Sequence, residues 1–102
     1  MELKKAIIVK LFPVETGVNK KGEPWRNRKI KVKDSMPVPY PDEFLITFTR
    51  EKADMFNDMR EGDMIDIGWS AKVREFTYED RVTHEQRTKY EQENLGFSIG
   101  HV

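Results

Sequence analysis

Hydrophobic and polar residues alternate with a period of two over several stretches of the chain, and each such stretch reads as a β-strand. The clearest runs from Met64 to Glu75, where Ile65, Ile67, Trp69, Ala71 and Val73 alternate with Asp66, Gly68, Ser70, Lys72 and Arg74. That phase assigns Trp69 to the core and makes Phe76 and Tyr78, which continue the polar side, exposed aromatics. FLITFT, Phe44 to Thr49, is rich in aromatic and β-branched residues and sets Phe44, Ile46 and Phe48 on one face. In Trp25 to Asp34, Ile30 and Val32 point into a core while Trp25, Asn27, Lys29, Lys31 and Lys33 share the opposite side. Leu3 to Phe12 supplies the first strand, with Ile7, Val9 and Leu11 on one face and Ala6, Ile8 and Lys10 on the other. Leu95 to Val102, with Leu95, Phe97 and Ile99 in phase, is the closing strand.

The connections are equally marked. Pro13 ends the first strand, and Val14 to Pro24 reads as a long polar loop. Pro37, Pro39 and Pro41 forbid a central ladder and predict a stiff, extended link over Ser35 to Asp42. From Arg50 to Met59 the period changes: Ala53, Phe56 and Met59 recur at helical spacing behind Thr49 as N-cap, which predicts one short helix plugging an end of the core. Arg60 to Asp63 is a turn around Gly62. Glu79 to Asn94 is polar almost throughout, and its pattern fits a long hairpin tip, a short exposed helix or a mobile loop equally well. Five strands with a helix between the third and fourth is the element order of an OB-fold, a small all-β Greek-key barrel. The expectation is one domain over residues 1–102, with a polar insert at about 79–94 between strands four and five.

Composition narrows the chemistry. With 102 residues and no cysteine, the chain can build one core without staples, and disulfides and thiolate metal sites are excluded. The apolar run Ala6 to Val9 is far too short for a membrane span or signal segment, so a cytoplasmic protein without a membrane partner is expected. A net charge of zero argues against coating nucleic acid by bulk attraction. The charge is unevenly spread, however: Asn19 to Lys33 holds seven cations (Lys20, Lys21, Arg26, Arg28, Lys29, Lys31 and Lys33) against the single anion Glu23. Catalytic patterns are missing: no nucleophile–base–orienter set can be assembled, and no Walker or Rossmann phosphate loop occurs. His84 and His101 have no second ligand at metal spacing, and Asp63 and Asp66 bracket a turn and a strand. A non-enzyme without cofactor or metal is expected.

Two motifs add a resemblance. One is a loop of the form G-x-x-[KR]-[KR]-G-x-P-W-[KR], here Gly17, Lys20, Lys21, Gly22, Pro24, Trp25 and Arg26. The other is E-[GE]-x-x-[VI]-x-[VI] followed by R-E-F, here Glu61, Gly62, Ile65, Ile67 and then Arg74, Glu75, Phe76. Together they resemble a family of small bacterial proteins of unknown function, taken to be OB-folds and similar in pattern to single-stranded-DNA-binding proteins. That resemblance implies a short turn between the last two strands and a tryptophan near the C-terminus, where this chain has the Glu79–Asn94 segment and ends Gly100, His101, Val102.

The outside of strands two and three is the usual OB-fold binding surface. Here it would carry Trp25, Lys29, Lys31 and Lys33, with Lys20, Lys21 and Arg26 at its rim. Aromatic stacking beside a track of cations suits single-stranded DNA, or RNA, bound with little sequence preference. The competing reading of those lysines is a solvated strand edge protected against pairing. A second functional reading is an interaction or assembly module, a homodimer among its forms, that uses the same face or the 79–94 arm, which the exposed aromatics Phe76, Tyr78 and Tyr90 beside mixed charge would suit.

Overall fold

The first strand pairs along both of its edges, and that double pairing sets the architecture. The structure is a computed structural model that describes residues 1–102 and every side chain except that of His101. The elements are β1 (Glu2–Leu11), β2 (Glu15–Val18), β3 (Pro24–Asp34), β4 (Glu43–Thr49), a 3-10 helix (Arg50–Phe56), β5 (Met64–Glu79) and β6 (Gln86–His101). β1 runs antiparallel to β3 through Ile7↔Lys33, Ile8↔Val32 and Leu11↔Ile30, and antiparallel to β5 through Leu3↔Ile67 and Ala6↔Ile65. β3 pairs with β4 and β5 with β6, and one parallel step, Thr47 beside Leu95, joins β4 to β6. The protein is thus mostly β, with one short helix, and its strands close into an uneven ring in the order β1–β3–β4–β6–β5, with β2 pairing with the start of β3 on the edge that β1 takes further along.

β1 can serve two neighbours because it is kinked twice. Its register shifts between Leu3 and Ala6 against β5, where Lys5 takes φ 55, and again between Ile8 and Lys10 against β3. Each irregularity inserts a residue, sharpens the local twist and reverses the in–out phase. Leu3, Ala6, Ile8 and Leu11 therefore all face the core, whereas strict alternation would have kept Lys10 beside Ile8. Instead Lys10 lies opposite Lys31 on the outside of the sheet.

Inside the ring, Ile8, Ile30, Val32, Ile46, Phe48 and Trp69 are sealed from solvent. Trp69 sits 4.8 Å from Phe44, and Phe48 meets Phe56 of the helix edge-on at 4.7 Å. Such aromatic pairs contribute about 0.5–1.5 kcal/mol beyond their area. The helix closes one end of this core, as its apolar spacing predicts. It is of the 3-10 type, and at 3.0 residues per turn its buried Ala53 and Phe56 lie on one side, with buried Met59 following just beyond its end. Thr49 makes no side-chain capping bond; the chain enters the helix through Arg50 at φ 57. The regular helix ends at Phe56, short of the Met59 limit expected from sequence.

Two expected loops behave differently. Ser35–Asp42 forms no strand, and the Asp34 amide donates to the Asp42 carbonyl at 2.9 Å, clasping the ends of this proline-rich link. Val14–Pro24 contains β2, which folds back on β3 as a hairpin. The polar segment 79–94 is a hairpin too. β5 and β6 stay paired out to Glu79↔Gln86, so the last strand begins at Gln86 rather than Leu95. Residues 80–85 turn the chain, with Asp80 Oδ1 accepting the amides of Val82 and Thr83. This ribbon explains a radius of gyration of 16.7 Å, against about 13 Å for a compact chain of this length. Among the described residues no helix is long and apolar enough to cross a membrane.

The joint between ring and ribbon is tight at Gly96, which pairs with Trp69; a Cβ there would lie 2.3 Å from two ring carbons of the buried Phe48. Phe48 is held by Phe56 and has no free volume to enter. Gly96→Ala should therefore cost about 1–3 kcal/mol by overpacking, lowering the thermal midpoint by at least about 4 °C. Gly100→Ala, whose Cβ would meet nothing closer than 3.8 Å, should leave the midpoint unchanged or higher in the same unfolding assay.

Candidate functional site

β3 is the strand that carries the candidate side chains. Its pairing with β4 runs without a register shift from Asn27↔Thr49 to Lys33↔Glu43, so the in–out alternation holds along its length. Ile30 and Val32 are fully buried, which turns Lys29, Lys31 and Lys33 outward together, with Trp25 on the same side. At roughly 3.3 Å per residue the row from Trp25 to Lys33 spans about 26 Å. Lys29 is exposed; Lys31 is half-buried and its Nζ lies 3.1 Å from Glu43 Oε2. That ion pair is solvent-facing and so weakly held.

Trp25 is 39% exposed. It pairs with Gly17 of β2, and its indole lies across that glycine: a Cβ on Gly17 would fall 2.4 Å from the six-membered ring. The sequence pairs Gly17 with Trp25 for this reason, since the absent side chain gives the indole a flat bed. A hollow of about 500 Å³ lies beside it, lined by Arg26 as well as Trp25, with Thr16, Pro24, Arg50 and Glu51.

The remaining expected residues separate from this row. Lys20 and Lys21 are exposed in the β2–β3 turn, which Asn19 organises by accepting the amides of Lys21 and Glu23, each at 2.9 Å. They extend the row beyond Trp25 as a basic tip. Arg26, expected at the rim, points away from Trp25, because neighbours in a strand alternate. Its guanidinium is 2.6 Å from Asp54 of the helix. Arg28 follows the same side, donating to the Phe12 carbonyl at 2.9 Å and towards Asn57. Both arginines brace the closed end of the core.

Two residues join the face that alternation had hidden. The irregularity after Ile8 turns Lys10 outward opposite Lys31, and Phe12 follows it, its amide donating to the Lys29 carbonyl at 3.1 Å. Lys10 Nζ sits 4.9 Å from the centroid of the Phe12 ring, a cation–π contact. On the β4 side Leu45, 48% exposed, lies opposite Lys31. The face therefore holds four lysines, two aromatics and one exposed leucine across three strands.

Its far border is a groove of about 420 Å³ between β4 and the root of the ribbon, with Lys29, Leu45 and Thr47 on one wall and Arg74, Glu91 and Glu93 on the other. Asn94 Nδ2 donates to the Leu45 carbonyl at 3.2 Å and closes its floor, and Arg74 pairs with Glu93 at 2.9 Å. Among the described residues no group of three or more His, Cys, Asp or Glu side chains is placed to hold a metal ion.

Residues 3–90 match the profile of a family described as a domain of unknown function, DUF3127. No curated protein matches the chain.

The bed under Trp25 can be tested directly. Gly17→Ala should lift the indole off β2 and shift its emission to longer wavelength. Buried Trp69 supplies a constant background, and the unfolding midpoint should change by less than about 4 °C because no core residue moves. An unchanged spectrum would mean that the indole does not rest on Gly17.

Proposed function

The chain belongs to the DUF3127 family, whose description assigns no activity, and we propose that it is an OB-fold binding module for single-stranded nucleic acid. Support for the fold comes from strand order. Setting β2 aside, the first long strand pairs with the second and fourth, the third lies parallel to the fifth, and the helix falls between the third and fourth. That order supports reading the ring as a five-stranded Greek-key barrel, the kind whose second and third strands present the binding surface.

The single observation that carries the function is the outer face of β3. Trp25, Lys29, Lys31 and Lys33 stand on one side of one strand, with Lys10 and Phe12 beside them. Bases stack on aromatic rings while ammonium groups follow the phosphates, and neither contact reads sequence. Lys20 and Lys21 would extend the track past Trp25. Arg26, occupied by Asp54, is left out of the proposed site. The reading makes the protein a binder rather than a catalyst. It leaves DNA and RNA equivalent, because no group on the face singles out a 2′-hydroxyl.

Titration with a short oligothymidine, followed by tryptophan emission, tests the proposal. Trp25 should respond while Trp69 does not. Trp25→Ala should weaken binding by about 1–3 kcal/mol, roughly 5- to 150-fold. With Lys10, Lys29, Lys31 and Lys33 each neutralising one phosphate, log K should fall with log salt at a slope of about −2.8, and each lysine-to-alanine change should reduce that slope by about 0.7. Binding that survives both Trp25→Ala and Lys29→Ala/Lys31→Ala unchanged would overturn this site.

A further inference from the structure

The ribbon formed by the outer parts of β5 and β6 has an unusual edge. β6 pairs with β4 through the backbone only where Leu95 lies beside Thr47, with the Asn94 side chain reaching the Leu45 carbonyl next to it, and the pairing with β5 occupies its other side throughout. From Gln86 to about Glu93 one flank of the β6 backbone therefore has no strand neighbour. Such an edge is a template for a further strand, and proteins commonly blunt it with proline, a bulge or charged side chains. The segment QRTKYEQE has no proline and pairs with β5 without a shift, and its four charges, Arg87, Lys89, Glu91 and Glu93, are of both signs.

The charges on this edge follow a pattern. Cross-strand partners fix which residues share a face: Arg87, Lys89, Glu91 and Glu93 lie on the same side of the ribbon as Tyr78, Phe76, Arg74 and Lys72. Along β6 that face reads basic, basic, acidic, acidic. The opposite face reads Thr88, Tyr90 and Gln92, with no charge. A sequence antisymmetric in charge about Tyr90 is complementary to itself when reversed. An antiparallel copy centred on Tyr90 would set Arg87 against Glu93 of the second chain and Lys89 against Glu91, each pair occurring twice by symmetry. Tyr90 would meet its own copy.

We propose that this edge, Arg87 to Glu93 of β6, is a homodimer interface in which two copies of the chain pair antiparallel about Tyr90, joining two ribbons into one four-stranded sheet. A two-fold axis normal to the sheet keeps each face on its own side, so the charged face meets charged and the neutral face meets neutral. Opposite charges directly across an antiparallel pair stabilise it, and like charges oppose it. The β5 edge does not fit a second copy in this way. Its charges over 72–79 are Lys72 and Arg74 on one face and Glu75 and Glu79 on the other, so with one sign per face reversal forms no opposite-sign pair.

The groups involved are available. Within one chain Lys89 is 3.0 Å from Glu91, Arg74 is 2.9 Å from Glu93, and Arg87 is 3.1 Å from Asp80, all at partly exposed positions. Exposed pairs of this kind contribute little, and exchanging them for partners on a second chain costs little. Tyr90 is 66% exposed. A two-stranded ribbon is marginal by itself in water, and doubling its strands removes two free edges at once.

The inference is independent of nucleic-acid binding and is tested without any oligonucleotide. Wild-type protein should show a reversible monomer–dimer equilibrium by sedimentation velocity across the micromolar range. Arg87→Glu/Lys89→Glu makes the edge wholly acidic, and Glu91→Lys/Glu93→Lys makes it wholly basic. Each variant alone should associate at least about tenfold more weakly. Mixed in equal amounts they should dimerise at least as well as wild type, because every pair across the axis is then opposite in sign. Restoration on mixing also shows that both variants are folded. A wild-type chain that stays monomeric, variants that still dimerise alone, or a mixture that remains monomeric would each overturn the proposal.

Discussion

The structure depends on one strand being bent enough to serve two neighbours. β1 must hold β5 along its first half and β3 along its second, and the two irregularities between Leu3 and Ala6 and between Ile8 and Lys10 make that possible. Without them the sheet would stay open, and Ile8, Ile30 and Ile65 would lose their common interior. The kinks have their own supports: the Lys5 amide donates to Asp66 Oδ1, the Ile8 amide to the Asp63 carbonyl, and the Gly62 amide to the Ile8 carbonyl. Residues 61–66 thus stitch the bend of β1 to the start of β5. The same bend delivers Lys10 and Phe12 to the outer face of β3, so closure of the core and composition of the candidate face follow from one local distortion.

That distortion also marks the limit of what alternation could reveal. Where a strand is regular, the sequence was legible residue by residue: Ile30 and Val32 inside with the lysines outside, Phe48 inside, and Trp69 buried despite being a tryptophan near charged residues. Period-two reasoning fails at a bulge because one inserted residue reverses every later assignment. Lys10 therefore read as a neighbour of Ile8, when in fact it stands against Lys31. The ribbon was illegible for a different reason. Both faces of 79–94 are in water, so no hydrophobic period exists to tell strand from helix, and the cross-strand partners that decide the matter are not written locally. β2 escaped because its four residues, Glu15 to Val18, gain strand form only by lying against β3. Arg26 was placed at the rim of that face; its ion pair with Asp54 of the helix depends on a contact between distant segments that local pattern does not carry.

Electrostatics ties the two proposals together through distribution rather than sum. The chain balances its charges overall, yet the outer face of β1 and β3 carries Lys10, Lys29, Lys31 and Lys33, while Glu91 and Glu93 stand across the groove. At physiological salt, exposed charges farther apart than about 8 Å scarcely feel one another. The lysine face therefore loses part of its potential at Lys29, which lines the groove opposite Glu91 and Glu93. A polyanion laid along β3 would be attracted most strongly away from the ribbon, so the acidic wall acts as a boundary to the proposed track. Glu43 works similarly at its own end, holding Lys31 in place and moderating the charge there.

β6 is the element in which these arguments meet. Its C-terminal part completes the ring, and its N-terminal part leaves the ring as one strand of the ribbon. The change happens at Gly96 and Phe97, where the pairing with β5 slips between Gly68 and Trp69. Gly96 lies against Phe48 inside, whereas Phe97 is 44% exposed. The slip bends and twists the pair there, and beyond it the ribbon runs on with the groove beside Leu45 on its β4 side. One irregularity in β1 thus assembles the candidate binding face, and one in β6 marks where the ribbon leaves the ring beside it.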